Sequence, residues 1–109
     1  MNEISAKETY AQILSGSAHG VDVREHSEWV AGHAEGVAWN PLSNFDPTLL
    51  PTVGPIIFIC RSGNRSGQVT EYLAQSRNEV FNMVGGMKAW SAAGSPRPDW
   101  QRKRSSCLL

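Results

Sequence analysis

The chain has 109 residues, 40% of them hydrophobic, which is the size and apolar content of one small domain with a single core and leaves no room for a second. Ten basic and ten acidic side chains cancel to a formal net charge of zero, so no broad field recruits nucleic acid or an anionic membrane surface. No apolar run approaches the roughly 18–20 residues that span a bilayer, and Met1-Asn2-Glu3-Ile4 lacks the regions of a signal peptide; a soluble cytoplasmic protein is the expectation, with two cysteines too few for a disulfide framework.

In chain order, Ser5-Ala6-Lys7-Glu8 reads as a capping box, and Tyr10, Ile13 and Leu14 form an apolar stripe. Together they predict a helix from about Ala6 to Leu14, ended by Gly16. A short strand follows over Gly20 to Val23, a brief helix over His26 to Ala31, and a second strand over Val37 to Trp39 that Pro41 closes. Leu42 to Leu50 has room for one helical turn, while Asp46-Pro47, Pro51 and Gly54-Pro55 mark connecting chain. Ile56-Ile57-Phe58-Ile59 is a strongly β-prone run that reads as a buried strand. A helix of about Ser66 to Ser76 comes next, with Val69, Tyr72 and Leu73 at i, i+3, i+4 spacing. Glu79 to Asn82 is another strand, Gly85-Gly86 a tight turn, and Met87 to Ala93 the last helix. Strands alternating with helices imply an α/β fold whose largely parallel sheet is covered on both faces. One domain is expected over residues 1–98, and a poorly ordered tail over 99–109, where Arg102-Lys103-Arg104 precede Cys107 with no periodicity to bury.

The chemistry concentrates where the apolar strand delivers Cys60 into Arg61-Ser62-Gly63-Asn64-Arg65-Ser66. A cysteine there lies at the carboxyl end of a strand and faces a helix amino terminus, the crevice in which open α/β sheets bind ligands and where free N–H groups favour an anion. A free thiol of pKa ~8.5 is roughly 3% thiolate at pH 7, and lowering it by about two units would raise that to roughly 75%. That needs about 2.7 kcal/mol of preferential stabilisation. A helix terminus typically supplies ~0.3–1 kcal/mol, so the remainder is assigned to inward-pointing loop amides and to the charges of Arg61 and Arg65.

Four further stretches accompany this loop: Val21-Asp22-Val23-Arg24-Glu25, Gly32-His33-Ala34-Glu35-Gly36-Val37, Asn40-Pro41-Leu42, and Val84-Gly85-Gly86-Met87-Lys88-Ala89-Trp90. In this order and spacing, from about Ile4 to Pro98, they resemble the rhodanese-domain sulfurtransferase family. The resemblance implies a rhodanese-like fold with a mostly parallel sheet of about five strands. It implies that Cys60 attacks the outer sulfur of a donor such as thiosulfate or a low-molecular-weight persulfide, holds it as a persulfide, and passes it to cyanide or a thiol. A sulfur-carrier protein is a further candidate partner, and neither metal nor organic cofactor is needed. Arg61, Ser62, Gly63, Asn64, Arg65 and Ser66 become the expected substrate-binding loop, with Asp22 and Arg24 as a supporting pair behind it.

Plainer readings stand beside these. Cys60 could be a small buried hydrophobe at a strand end, against which the flanking arginines and the glycine turn argue. His19, His26 and His33 recur at intervals of seven, but an intervening strand prevents their alignment and no nearby cysteine completes a zinc set. A cysteine-dependent phosphatase or arsenate reductase would also place a thiolate and an arginine around an anion. Its loop resembles C-x5-R, whereas four residues separate Cys60 from Arg65 here. A non-catalytic binding module is the third possibility, and Cys107 as a partner thiol for Cys60 a fourth.

Overall fold

The computed structural model of the chain describes residues 2–96; the expected tail, its basic cluster and Cys107 lie outside the described residues. The elements are β1 (Glu3–Ile4), α1 (Ala6–Ser15), β2 (His19–Asp22), α2 (His26–Ala31), β3 (Val37–Trp39), two 3₁₀ turns (Leu42–Asn44 and Pro47–Leu49), β4 (Ile56–Ile59), α3 (Asn64–Leu73), β5 (Val80–Met83) and α4 (Gly86–Ala92). All five strands form one sheet in the order β1-β5-β4-β2-β3, and every pairing is parallel.

The sequence signals act locally as expected at α1. The Ser5 side chain accepts from the Glu8 N–H, and Gly16 takes the left-handed conformation that ends the helix. β4 is the centre of the sheet, and its side chains alternate between two cores. Ile57 and Ile59 face the layer containing Trp90, Met83 and Met87, whereas Ile56, Phe58 and then Cys60 face Val69 and Leu73 of α3. That alternation aims Cys60 at the α3 layer. On the other face, Tyr10 of α1 packs edge-on against Trp90 of α4 with ring centroids 5.7 Å apart. Helical layers thus cover both faces of the sheet.

Two differences from the sequence expectation have physical causes. β1 carries no periodicity to read in two residues, and it exists because β5 offers an edge: Glu3 pairs with Asn82 and Ile4 with Met83. α3 begins at Asn64, two residues earlier than predicted, because Gly63 adopts φ +101° directly before it, and it ends at Leu73, where Ser76 and Arg77 both donate to the Leu73 carbonyl. Among the described residues no helix is long and apolar enough to cross a membrane.

Candidate active site

Cys60 leaves the end of β4 with 1% of its surface exposed. Burial by itself would raise its thiol, but hydrogen bonding outweighs it. The Ser66 hydroxyl and the backbone N–H groups of Ser66, Gly63 and Ser62 are directed at the sulfur and hold the thiol below its ordinary range. The Gly63 N–H lies 3.0 Å from Sγ and the Ser66 Oγ 3.3 Å. The Ser66 hydroxyl has one proton and two acceptors, since Asn82 Oδ1 is 2.6 Å away on β5. Asn82 also donates through Nδ2 to the Gly63 carbonyl at 3.1 Å, so one buried amide braces both ends of the loop.

The loop is pressed from behind by α4. Met87 N–H donates to the Cys60 carbonyl at 2.8 Å and Lys88 N–H to the Arg61 carbonyl at 3.1 Å. This approach requires Gly86, where a Cβ would stand 2.3 Å from the Cys60 carbonyl oxygen. The Gly85-Gly86 pair therefore does more than turn the chain.

The two expected charges differ in their surroundings. Arg65, in the first turn of α3, gives both terminal nitrogens to Glu28 of α2, at 2.7 and 2.8 Å. The bidentate bond holds the Glu28 carboxyl down at about 2. The Arg65 charge is favoured first by Glu28 and also by the nearby Cys60 and Asp22. Arg61 is exposed and, among the described residues, forms no ion pair. The largest effects that lower Cys60 are hydroxyl and amide donors, and the Arg65 charge, itself favoured by Cys60, acts on the thiolate in the same direction. Ser62 and Asn64 carry exposed side chains, so Ser62 contributes its amide.

Asp22 and Arg24 form a buried pair at the end of β2. Their closest contact is 2.8 Å, with side chains 0% and 5% exposed, and Arg24 also donates to the Gly32 carbonyl at 2.8 Å. The pair fixes the turn that follows α2 and so helps to place Glu28. Glu28 and Asn82 are the site residues that sequence reasoning missed. The three histidines are dispersed: His19 meets the Val53 carbonyl, His26 packs against Trp39, and His33 stacks on Trp29 with centroids 3.7 Å apart. Among the described residues no three metal-ligating side chains come together.

Against known proteins, residues 5–93 match the model of the rhodanese-like domain. An uncharacterized protein of Synechocystis is 37% identical over 79 residues, which are 70% of this chain and 44% of that protein. The chain spans about half the length of the curated relatives it matches. A crystal structure of a rhodanese-related protein from Thermoplasma volcanium superimposes with TM-score 0.80 at 27% identity, covering 89% of this chain and 97% of that one. A Rhodopseudomonas palustris protein described as a possible tyrosine phosphatase, 20% identical at TM-score 0.77 over 89% of this chain and 84% of that one, shares the fold.

Proposed function

This chain belongs to the rhodanese-like domain family, and from that premise we propose that it is a sulfurtransferase working through a Cys60 persulfide. The observation that carries the reading is the convergence of three backbone N–H groups and the Ser66 hydroxyl on one sulfur at the end of a buried strand. In the first step the Cys60 thiolate uses an electron pair to bond the outer sulfur of thiosulfate or of a low-molecular-weight persulfide. The donor's own S–S bond breaks, and its electrons leave on sulfite or on the carrier thiolate. In the second step cyanide or an acceptor thiolate attacks the terminal sulfur, and the pair of the Cys60 S–S bond returns to Sγ. Splitting the transfer this way, with preset donors around the anion, is covalent and electrostatic catalysis together.

The loop dimensions favour sulfur over phosphoryl chemistry. Four residues between Cys60 and Arg65 make a small ring of amides, suited to a single added sulfur, and Glu28 occupies both terminal nitrogens of the arginine that a phosphoryl group would need. The 1% exposure of Cys60 favours a donor that presents its sulfur end-on.

Intact mass spectrometry after adding thiosulfate or glutathione persulfide tests the reading. We expect gain of one sulfur atom on Cys60 and its loss, as thiocyanate, when cyanide follows. Faster release of phosphate from an aryl phosphate than of thiocyanate from thiosulfate and cyanide would overturn it. A Cys60→Ser variant that keeps the full cellular effect of the protein would instead favour a binding module.

A further inference from the structure

The Cys60 side chain points to the α3 side of the sheet, and the cation on that side is Arg65, in the first turn of α3 and one residue before Ser66. Arg61 is instead tied through its carbonyl to the Lys88 N–H of α4, and its side chain is exposed. Arg65 is near enough to Cys60 for the charge on the sulfur to favour its own. Yet its fork is already taken: the two terminal nitrogens donate to the two carboxylate oxygens of Glu28, at 2.7 and 2.8 Å. Glu28 is itself held in place, because its Oε1 also accepts the Glu25 N–H at 3.2 Å in the α2 capping box, and the Ser43 hydroxyl donates to Glu25. With its carboxyl at about 2, Glu28 stays charged and the clasp stays closed throughout the neutral range. Both side chains are partly exposed, so a solute anion can compete for the fork.

We propose that Glu28 is a specificity-determining residue: by occupying the Arg65 fork it penalises sulfur donors that carry an oxyanion and leaves donors without one unaffected. The proposal rests on the sulfur transfer inferred above. An oxyanionic donor has the greater need of a cation. Thiosulfate brings two negative charges toward a thiolate; as the new bond to Sγ forms and the donor's S–S bond breaks, the electron pair and both charges leave on sulfite. The Arg65 guanidinium has the planar fork that matches two oxygens of such a group, but the donor obtains it only by displacing a carboxylate of matching geometry. A donor whose leaving group is a plain thiolate makes no demand on that fork. The clasp therefore sets the two donor classes apart before any sulfur moves.

The test compares two donors in Glu28→Gln, which keeps the shape of the side chain and removes its charge. Loading of Cys60 from thiosulfate should gain roughly tenfold in kcat/KM, chiefly through KM, while loading from mercaptoethanol persulfide, which carries no oxyanion, should change by less than about twofold. In the Glu28→Gln, Arg65→Gln double variant the gain should vanish, because no fork remains to be freed. A purely structural clasp would move both donors together. Binding is followed separately from chemistry by calorimetry with sulfate, which donates no sulfur, on the Cys60→Ser protein. Adding Glu28→Gln there should tighten sulfate roughly tenfold, and salt should weaken it. An unchanged ratio of the two donors with equal sulfate affinity, or a thiosulfate gain that persists in the double variant, would overturn the proposal and leave the sulfur transfer standing. A Cys60 that takes up sulfur from no donor would remove the transfer itself, and donor selection by Glu28 with it.

Discussion

At Cys60 two tendencies oppose each other: a buried sulfur resists ionisation, and four donors reverse that resistance. Ser66 is the donor that can be removed without touching the backbone. In Ser66→Ala the ultraviolet thiolate absorbance should titrate at higher pH than in the wild type, and persulfide formation at neutral pH should slow by roughly tenfold, the scale of one lost hydrogen bond to a charged group. An unchanged titration curve would mean that the amides suffice alone. Cys60 itself was legible because a strand end, a glycine and a helix pattern are all local in sequence. The fate of Arg65 was not, since its partner lies 37 residues earlier, on a helix that in the structure also uses Glu28 in its own capping box. Asn82 was hidden for the same reason; it reads as an ordinary strand position until β5 is placed beside β4.

Among the elements, the contact that shapes the site is α4 against the back of the loop. Gly86→Ala puts a methyl group 2.3 Å from the Cys60 carbonyl oxygen, at a backbone φ of +56° that side chains rarely adopt. The expected cost is roughly 3 kcal/mol in urea denaturation, with slower loading of Cys60, because the loop must move to admit the methyl group. A variant of wild-type stability would show that α4 is free to shift. Sequence patterns found α1, α2, β3 and β4 nearly to the residue, since each is bounded by a cap, a glycine or a proline. They missed β1, whose two residues become a strand only through pairing with β5, and they misplaced the ends of α3, which Gly63 and the Leu73 carbonyl decide.

Across the whole molecule, the Glu28–Arg65 clasp joins α2 to α3 and ties the β2 side of the site to the β4 side. Its contribution to stability has a definite pH signature. The Glu28 carboxyl lies at about 2 in the folded chain, below the ~4.3 of a free glutamate, so the folded state holds this proton less tightly than the unfolded one. The stabilisation is then fully present above the unfolded value and disappears as pH falls from about 4.5 through about 2. Both side chains are partly exposed, 33% for Arg65 and 28% for Glu28, so screening limits the pair to about 1 kcal/mol. Cys60 obeys the same sign at higher pH: its lowered thiol adds stability that is complete above the ordinary thiol range and is lost as pH drops through the folded value. Urea midpoints followed from neutral pH into acid should therefore fall less steeply in Glu28→Gln than in the wild type, with the difference confined to the acid window and reduced by salt. Parallel curves for the two proteins would mean that the clasp orients Arg65 without stabilising the fold.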